Sequence, residues 1–337
     1  MTPEERFSLV KKNTEEILTE NELRERLGSG NKLSAYYGTA TTGPFHIAYL
    51  IPLTKVFDLD KAGIKTKILL ADIHSALDDL KSGWEQIQIR AKYYQKCIEN
   101  SFPWEDMPEF VLGSSFQFNS DYVQDMLKMA THVTVNRSTR AASEVTRMKN
   151  PKVSEIIYPL MQTLDEQYLD VDMQIGGIDQ RHIMALAREE LPRLGYMQRI
   201  EVMTPLIASL KGADTKMSAS LPDTHIKVYD SEAQIREKIS RAYCLAGDRN
   251  NAVLQICRFI VFTIKNRLKI ERPAKFGGDA IFESYETLEG DFLNKKLHPA
   301  DLKKAVADEL ISVFSPVRKY FERHKDTLTE LGKEFVN

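Results

Sequence analysis

The spacing of apolar residues changes along the chain, and the changes mark out its organisation. Leu9, Ile17, Leu23 and Leu27 supply apolar faces that predict helices over residues 4–28, with Gly28-Ser29-Gly30 stopping the second. Residues 34–37 are strand-like, and 66–71 is a compact apolar run of strand length. The stretch 47–62 between them predicts a helix closed by Gly63. Strands of this unbroken kind are expected in a buried parallel sheet, and their alternation with helices predicts a doubly wound α/β layer structure. The rhythm breaks over 79–149, where helices at 84–99 and 120–131 flank one short strand at 109–112. It resumes with a helix from Pro159, a strand at 171–175, a helix from Asp179 and a strand at 199–204. Beyond 230 the strand pattern fades, and 231–243, 251–264 and 299–314 read as helices. The expected organisation is N-terminal helices at 1–32 and an α/β domain split between 33–78 and 150–204. To these are added a helical insertion at 79–149, a loop and linker at 205–230, and an all-α C-terminal domain at 231–337.

Composition narrows the classes. At 337 residues and 42% hydrophobic content the chain has material for about two soluble domains with real cores. No apolar run approaches the roughly 18 residues of a membrane span, and Met1-Thr2-Pro3-Glu4-Glu5-Arg6 carries no secretory pattern. Cys97, Cys244 and Cys257 are scattered and form no Cys-x-x-Cys, so neither a zinc site nor a disulfide framework is expected, and a reducing cytoplasm fits. A net charge of −2 argues against a generally basic nucleic-acid binder, while a local basic surface stays compatible with RNA.

Three segments carry candidate chemistry. Gly38-Thr39-Ala40-Thr41-Thr42-Gly43-Pro44-Phe45-His46-Ile47-Ala48-Tyr49 joins a strand to a helix. A small-residue loop entering a helix offers free backbone N–H groups and a favourable dipole to an anion, and His46 can donate to a phosphate oxygen. Taken alone, a histidine there is more often packing or capping. Downstream, Lys216-Met217-Ser218-Ala219-Ser220 places a cation and two hydroxyls on a polar loop, where a solvated lysine is the commoner reading. In the third segment, Pro159 suits a first helical turn, and Tyr158, Gln162 and Asp165 fall at i, i+4 and i+7 on one face. A solvated face is the bland alternative. Apolar neighbours Ile156, Ile157, Leu160, Met161 and Leu164 argue for burial, where polar groups need partners. The turn Gly176-Gly177-Ile178-Asp179-Gln180 then ends a strand, where open α/β sheets bind ligands.

The first two segments resemble the paired ATP-handling motifs of class I aminoacyl-tRNA synthetases, written His-Ile-Gly-His and Lys-Met-Ser-Lys-Ser. Here Ala48, Tyr49 and Ala219 depart from the pattern. With the Tyr158 stripe and the Gly-Gly turn, the chain from about 34 to 318 resembles the tyrosyl-tRNA synthetases of the archaeal and eukaryotic type. That resemblance implies a Rossmann-type catalytic domain with a connective insertion and a helical anticodon-binding domain. It implies catalytic roles for His46, Lys216, Ser218 and Ser220. ATP contacts would fall on Gly38, Thr42, Gly43, His46, Tyr49, Gly177, Asp179 and Lys216, with Asp179 on the ribose. Tyr36 and Asp165 would read a phenol; Tyr158, Gln162 and Gln180 would hold the amino and carboxylate groups of tyrosine; and His74, at the strand end Leu69-Leu70-Ala71-Asp72-Ile73-His74, is a further pocket candidate.

In the C-terminal region, Lys275-Phe276-Gly277-Gly278-Asp279 and Leu297-His298-Pro299-Ala300-Asp301 match the family's anticodon segments. Phe276 and His298 would sandwich a base whose edge Asp301 reads, although His-Pro-x-Asp is also an ordinary helix start. Arg140, with Arg137 beside it, is implied as an acceptor-stem contact. Lys295, Lys296, Lys303 and Lys304 are candidates for a phosphate patch. The implied activity is a cytoplasmic tyrosine–tRNA ligase using tyrosine, ATP and tRNA(Tyr), with Mg2+ carried on the phosphates, no resident metal, and a homodimer formed through the insertion. Two rivals stay open: the tryptophanyl enzyme, in which Lys-Met-Ser-Ala-Ser also occurs, and a catalytically silent tRNA-binding paralogue, kept alive by Tyr49 and Ala219.

Overall fold

The computed structural model describes residues 1–78, 83–143, 150–217 and 221–336, without the side chains of 213–216 and 222. The chain packs as two compact units. The first comprises Met1–Thr42, Lys55–Gln95 and Glu105–Pro205; the second comprises Gly43–Thr54, Lys96–Trp104 and Leu206–Asn337.

The first unit is built on a sheet of β1 (Glu16–Leu18), β2 (Ser34–Ala40), β3 (Lys65–Ala71), β4 (Glu109–Leu112), β5 (Met173–Gly177) and β6 (Ile200–Thr204). Their spatial order is β1-β6-β5-β2-β3-β4. From β6 to β4 every neighbour is parallel, and β1 closes the β6 edge antiparallel. In chain order the parallel strands lie 3-2-1-4-5, so the winding direction reverses between β2 and β5, the place where this architecture binds ligands at strand ends. Ile68, Leu69, Leu70 and Ala71 of β3 are all buried, as an interior parallel strand requires. The register brings Leu18, Glu201, Gln174, Tyr36, Lys67 and Glu109 into one row across six strands. Five of the six residues in this row are polar, Leu18 being the exception.

Several expectations are revised. The helical reading of 4–28 is interrupted by β1 between the helices Pro3–Lys11 and Glu20–Gly28, because Glu15 N–H and the Ile17–Val202 register pair this segment with β6. Long-range pairing overrides local helix preference there. The strand Glu109–Leu112, expected inside the helical insertion, is the edge strand of the main sheet beside β3. Pro159 does not open its helix, which runs Val153–Tyr168 and contains it; the Glu155 side chain caps the start at Lys152 N–H instead. The helix is continuous, so the Tyr158–Gln162–Asp165 stripe keeps its phase.

The second unit is mainly helical, with Glu232–Arg241, Tyr285–Leu293, Pro299–Val313 and Ser315–Arg323 among its helices. The expected helix at 251–264 is present as Ala252–Ile256 and Phe262–Lys265 joined by a π-helical turn, Cys257–Val261. Two short hairpins depart from expectation: β7 (Ala208–Ser209) with β8 (Gly212–Lys216), where a loop and linker was expected, and β9 (Leu268–Ile270) with β10 (Ala280–Phe282), within the region expected to be all-α. The end of the chain forms Lys325–Leu331 and Lys333–Val336. Among the described residues no helix is long and apolar enough to cross a membrane.

Candidate active site

In the first unit, polar side chains from several elements converge on Asp165. The helix Val153–Tyr168 presents Asp165, which is 1% exposed, and from the same face Gln162 and Tyr158. Asp165 Oδ1 accepts from Gln117 Nε2 at 2.8 Å and lies 2.8 Å from Tyr122 OH, whose single proton it shares with Met161 O at the same distance. Tyr122 lies on Ser120–Ala130, and Gln117 follows the turn Gly113–Ser115 after β4. Gly113 is needed here because a Cβ on it would meet Gln117 Oε1 at 2.6 Å and Asp72 Oδ1 at 2.9 Å. His74, on Asp72–Leu77, packs edge-on against Tyr158 with ring centroids 4.6 Å apart, and its Nε2 lies 3.8 Å from Asp165 Oδ2. Asp165 Oδ2, His74 Nε2 and Gln117 Oε1 are buried and make no hydrogen bond. The facing pair, Asp165 Oδ2 and His74 Nε2, fits a small polar group placed between them.

Burial sets the charge state of this floor. It pushes the Asp165 carboxyl up to about 7 against the pull of the Gln117 and Tyr122 hydrogen bonds, and pushes the His74 imidazole down to about 4. Burial likewise raises the phenols of Tyr36, Tyr122 and Tyr158, which stay neutral donors. Tyr36 OH is 2.8 Å from Gln174 on the neighbouring strand, whose amide oxygen accepts from it when that amide is oriented to satisfy all its contacts. Towards the other end, exposure rises. Gln162, Gly177, Asp179 and Gln180 are half-buried, and Gln162 Nε2 donates to Gln180 Oε1 at 3.2 Å. A Cβ on Gly176 would meet Met184 Cε at 2.6 Å and Gln180 Cγ at 3.2 Å, so a side chain here would push on Met184 and Gln180. The unit thus offers a dry polar floor and a wetter polar rim. Such a gradient suits a ligand with one neutral polar tip and one charged end.

In the second unit, His46 caps a 3-10 turn, Ile47–Tyr49, that leads into the helix Leu50–Lys61. The expected free amides are spent within the protein: Ile47 N–H donates to Ile226 O, Ala48 N–H to His46 Nδ1, and Tyr49 N–H to His46 O. They are consumed because His46 bridges antiparallel to Lys227, pulling the turn into strand-like pairing. At this turn the ring itself is the group that can serve an anion. With Nδ1 accepting, the neutral imidazole carries its proton on Nε2. Burial, then His225 and Lys238, hold His46 well below its ordinary value, so it is a neutral donor near pH 7. His225 and Tyr49 flank it with ring centroids at 4.6 Å each. Lys216 ends β8 rather than standing on an open loop. Ser218, Ala219 and Ser220 lie outside the described residues. The expected ATP contacts therefore divide: Gly38, Thr42, Gly177 and Asp179 in the first unit, and Gly43, His46, Tyr49 and Lys216 in the second.

Comparison with known proteins decides the family. Residues 29–315 match the family model of class I tRNA synthetases (W and Y). The tyrosine–tRNA ligase of Methanopyrus kandleri is 42% identical over 321 residues, covering 95% of this chain and 98% of that protein. The chain belongs to the tyrosyl-tRNA synthetases of the archaeal and eukaryotic type. The cytoplasmic tyrosine–tRNA ligase of Danio rerio is 38% identical over 96% of this chain, which spans only 61% of that longer protein. Among solved structures, the Archaeoglobus fulgidus tyrosyl-tRNA synthetase complexed with L-tyrosine superposes with a TM-score of 0.90 at 41% identity, covering 94% of this chain and 99% of that one. The tryptophanyl-tRNA synthetase of Aeropyrum pernix shares the fold at a TM-score of 0.69 and 16% identity.

As a tyrosyl-tRNA synthetase family member, the chain also presents the residues implied for RNA. Phe276 ends the turn Ala274–Phe276 between β9 and β10 with its ring 60% exposed. His298, also exposed, caps the helix Pro299–Val313 with Nδ1 accepting from Ala300 N–H at 3.1 Å, so its structural role is real and its Nε2 is the proton-bearing nitrogen. Asp301 sits half-buried in the first turn of that helix. Arg272, which sequence reasoning missed, ties the two segments together through Gly278 O at 2.7 Å and Lys296 O at 3.2 Å. The lysine patch is largely committed: Lys296 pairs with Asp291, Lys303 donates to Ser240 O, and Lys304 pairs with Glu271 and Asp308. Arg140 is exposed on Val135–Ala142, whereas Arg137 pairs with Glu189.

Proposed function

We propose that this protein is a tyrosine–tRNA ligase, which joins tyrosine and MgATP into tyrosyl-adenylate and passes the acyl group to the 3' end of tRNA(Tyr). The observation that carries this reading is the buried polar floor, where Asp165 Oδ2 and His74 Nε2 lie 3.8 Å apart and neither has a hydrogen-bond partner of its own. A phenolic hydroxyl satisfies such a floor, and phenylalanine would strand it. Strong rejection of an amino acid that lacks the hydrogen-bonding group is an established property of this same enzyme class. Tyr158, Gln162 and Gln180 would take the amino and carboxylate groups at the rim, and Asp179 the ribose.

His46 would donate its Nε2 proton to a phosphate oxygen of ATP, and Lys216 with Ser218 and Ser220 would neutralise the departing pyrophosphate. Charge stabilisation by positioned donors is the main catalytic demand of such a step. Magnesium enters with ATP as part of the substrate. Phe276, His298, Asp301 and Arg140 would engage tRNA(Tyr), in a cytoplasmic homodimer. The test is pyrophosphate exchange with tyrosine, tryptophan and phenylalanine, followed by charging of tRNA(Tyr). Exchange with tyrosine and charging are expected; exchange with tryptophan instead, or binding of tRNA with no exchange at all, would replace this reading with one of the rivals.

A further inference from the structure

Behind the pocket floor lies a buried polar layer that tyrosine and ATP would not touch. On the sheet row, Gln174 stands between Tyr36 and Glu201, and Glu166 follows Asp165 on the helix Val153–Tyr168. Glu166 and Glu201 are 0% exposed and Gln174 is 2% exposed. In the orientation that satisfies its contacts, the Gln174 amide nitrogen donates to Glu166 Oε1 at 2.5 Å and to Glu201 Oε2 at 3.3 Å. Its oxygen then accepts from Tyr36 OH at 2.8 Å and from Gln162 Nε2 at 3.1 Å. Reversing the amide would point its oxygen at two carboxyl groups and set an N–H against Gln162 Nε2, so the carboxyls favour the orientation in which Gln174 donates to them.

We propose that Glu166 and Glu201 form a positioning layer that fixes the Gln174 amide and, through it, the direction of the Tyr36 hydroxyl, and so sharpens recognition of the substrate side chain. The proposal rests on the reading of the pocket as a tyrosine site. With its proton given to Gln174, Tyr36 faces the pocket as an acceptor, and a ligand phenol donates to it. Asp165, raised by burial, then completes the chain by donating from Oδ2 to the phenol oxygen. Each hydroxyl in the series donates once and accepts once, an arrangement in which neighbouring hydrogen bonds reinforce one another. Glu166 and Glu201 are themselves raised by burial, against the pull of Arg199 and Arg188, which keeps the layer from carrying two full charges.

The test compares pyrophosphate exchange with tyrosine and with phenylalanine in the whole chain. Glu201→Met keeps volume while removing an acceptor, at a cost in stability because Arg188 and Arg199 lose a partner. It is expected to raise KM for tyrosine by about tenfold, the worth of one misdirected hydrogen bond. KM for ATP and exchange with phenylalanine should stay as in the wild type, so that discrimination narrows by the same factor. Glu201→Gln, whose oxygen still accepts from Gln174, should restore most of the discrimination lost in Glu201→Met. Gln174→Met is the second variant, expected to lose more with tyrosine than with phenylalanine because it releases Tyr36 OH as well as Gln162 Nε2, and it decides the matter should Glu201→Met fail to fold. Equal losses with tyrosine and phenylalanine, or no change in their ratio, overturn the positioning role. Absence of tyrosine exchange in the wild type overturns the underlying pocket reading instead, a result separable from either.

Discussion

Removing the Tyr122 hydroxyl should make Asp165 harder to ionise, and the size of the effect follows from the floor geometry. Asp165 has an ordinary carboxyl value of 3.8 in the unfolded chain and about 7 in the fold. Between those values the folded state holds a proton that the unfolded state has lost. Stability therefore declines as pH rises through that window, by about 4 kcal/mol once pH passes 7, at 1.36 kcal/mol per unit. Tyr122 OH and Gln117 Nε2 are the two donors that oppose this by stabilising the ionised form at Oδ1. A hydrogen bond to an ionised group is worth about 1.5–3 kcal/mol and to a neutral one about 0.5–1.5 kcal/mol. In Tyr122→Phe the difference, roughly 1–1.5 kcal/mol, should lift the Asp165 midpoint by about one pH unit. Selective carbon-13 labelling of aspartate carboxyls reads this midpoint, with Asp165→Asn identifying the signal. Denaturant unfolding should show Tyr122→Phe costing more at pH 8.5 than at pH 5.5. A midpoint that stays or falls, or an equal cost at the two pH values, would refute the reasoning.

Other expectations follow from single contacts. Gly113→Ala puts a Cβ 2.6 Å from Gln117 Oε1, so it should displace Gln117 and raise KM for tyrosine several-fold while leaving KM for ATP unchanged, with a strain cost of about 1–3 kcal/mol seen in thermal unfolding. His46→Asn keeps an acceptor for Ala48 N–H but loses the Nε2 donor. Stability should hold within about 1 kcal/mol while pyrophosphate exchange falls by about 10²–10³, the usual worth of one donor aimed at developing charge. Phe276→Ala should weaken tRNA charging by about 1–3 kcal/mol, the worth of one stacked base, and leave exchange untouched; parallel losses in both assays would make Phe276 a fold residue.

Much of the site is legible in the sequence because it sits on periodic elements. Tyr158, Gln162 and Asp165 keep one face whether their helix starts at Pro159 or, as observed, at Val153. Asp179 and Gln180 follow a Gly-Gly strand end that can be read directly. Gln117 and Tyr122 are not legible, because they reach Asp165 across 48 and 43 residues of chain and no local pattern marks them. Gln174 and Glu201 do carry a signal: each is a polar residue set between apolar neighbours in a short strand, Met173-Gln174-Ile175 and Ile200-Glu201-Val202. Only the strand register turns those two interruptions into one row with Tyr36. The free amides expected at His46 fail for the same reason in reverse, since the pairing with 226–228 that consumes them comes from a distant segment.

The proposed function makes substrate choice depend on one carboxyl, Asp165, at the bottom of a dry polar floor. The most direct measurement is the ratio of pyrophosphate exchange with tyrosine to that with phenylalanine in the wild type and in Asp165→Ala. The floor predicts a high ratio that collapses in the variant by at least about 10²-fold, carried by KM for tyrosine, with KM for ATP held. A ratio unchanged by the loss of Asp165 would contradict it.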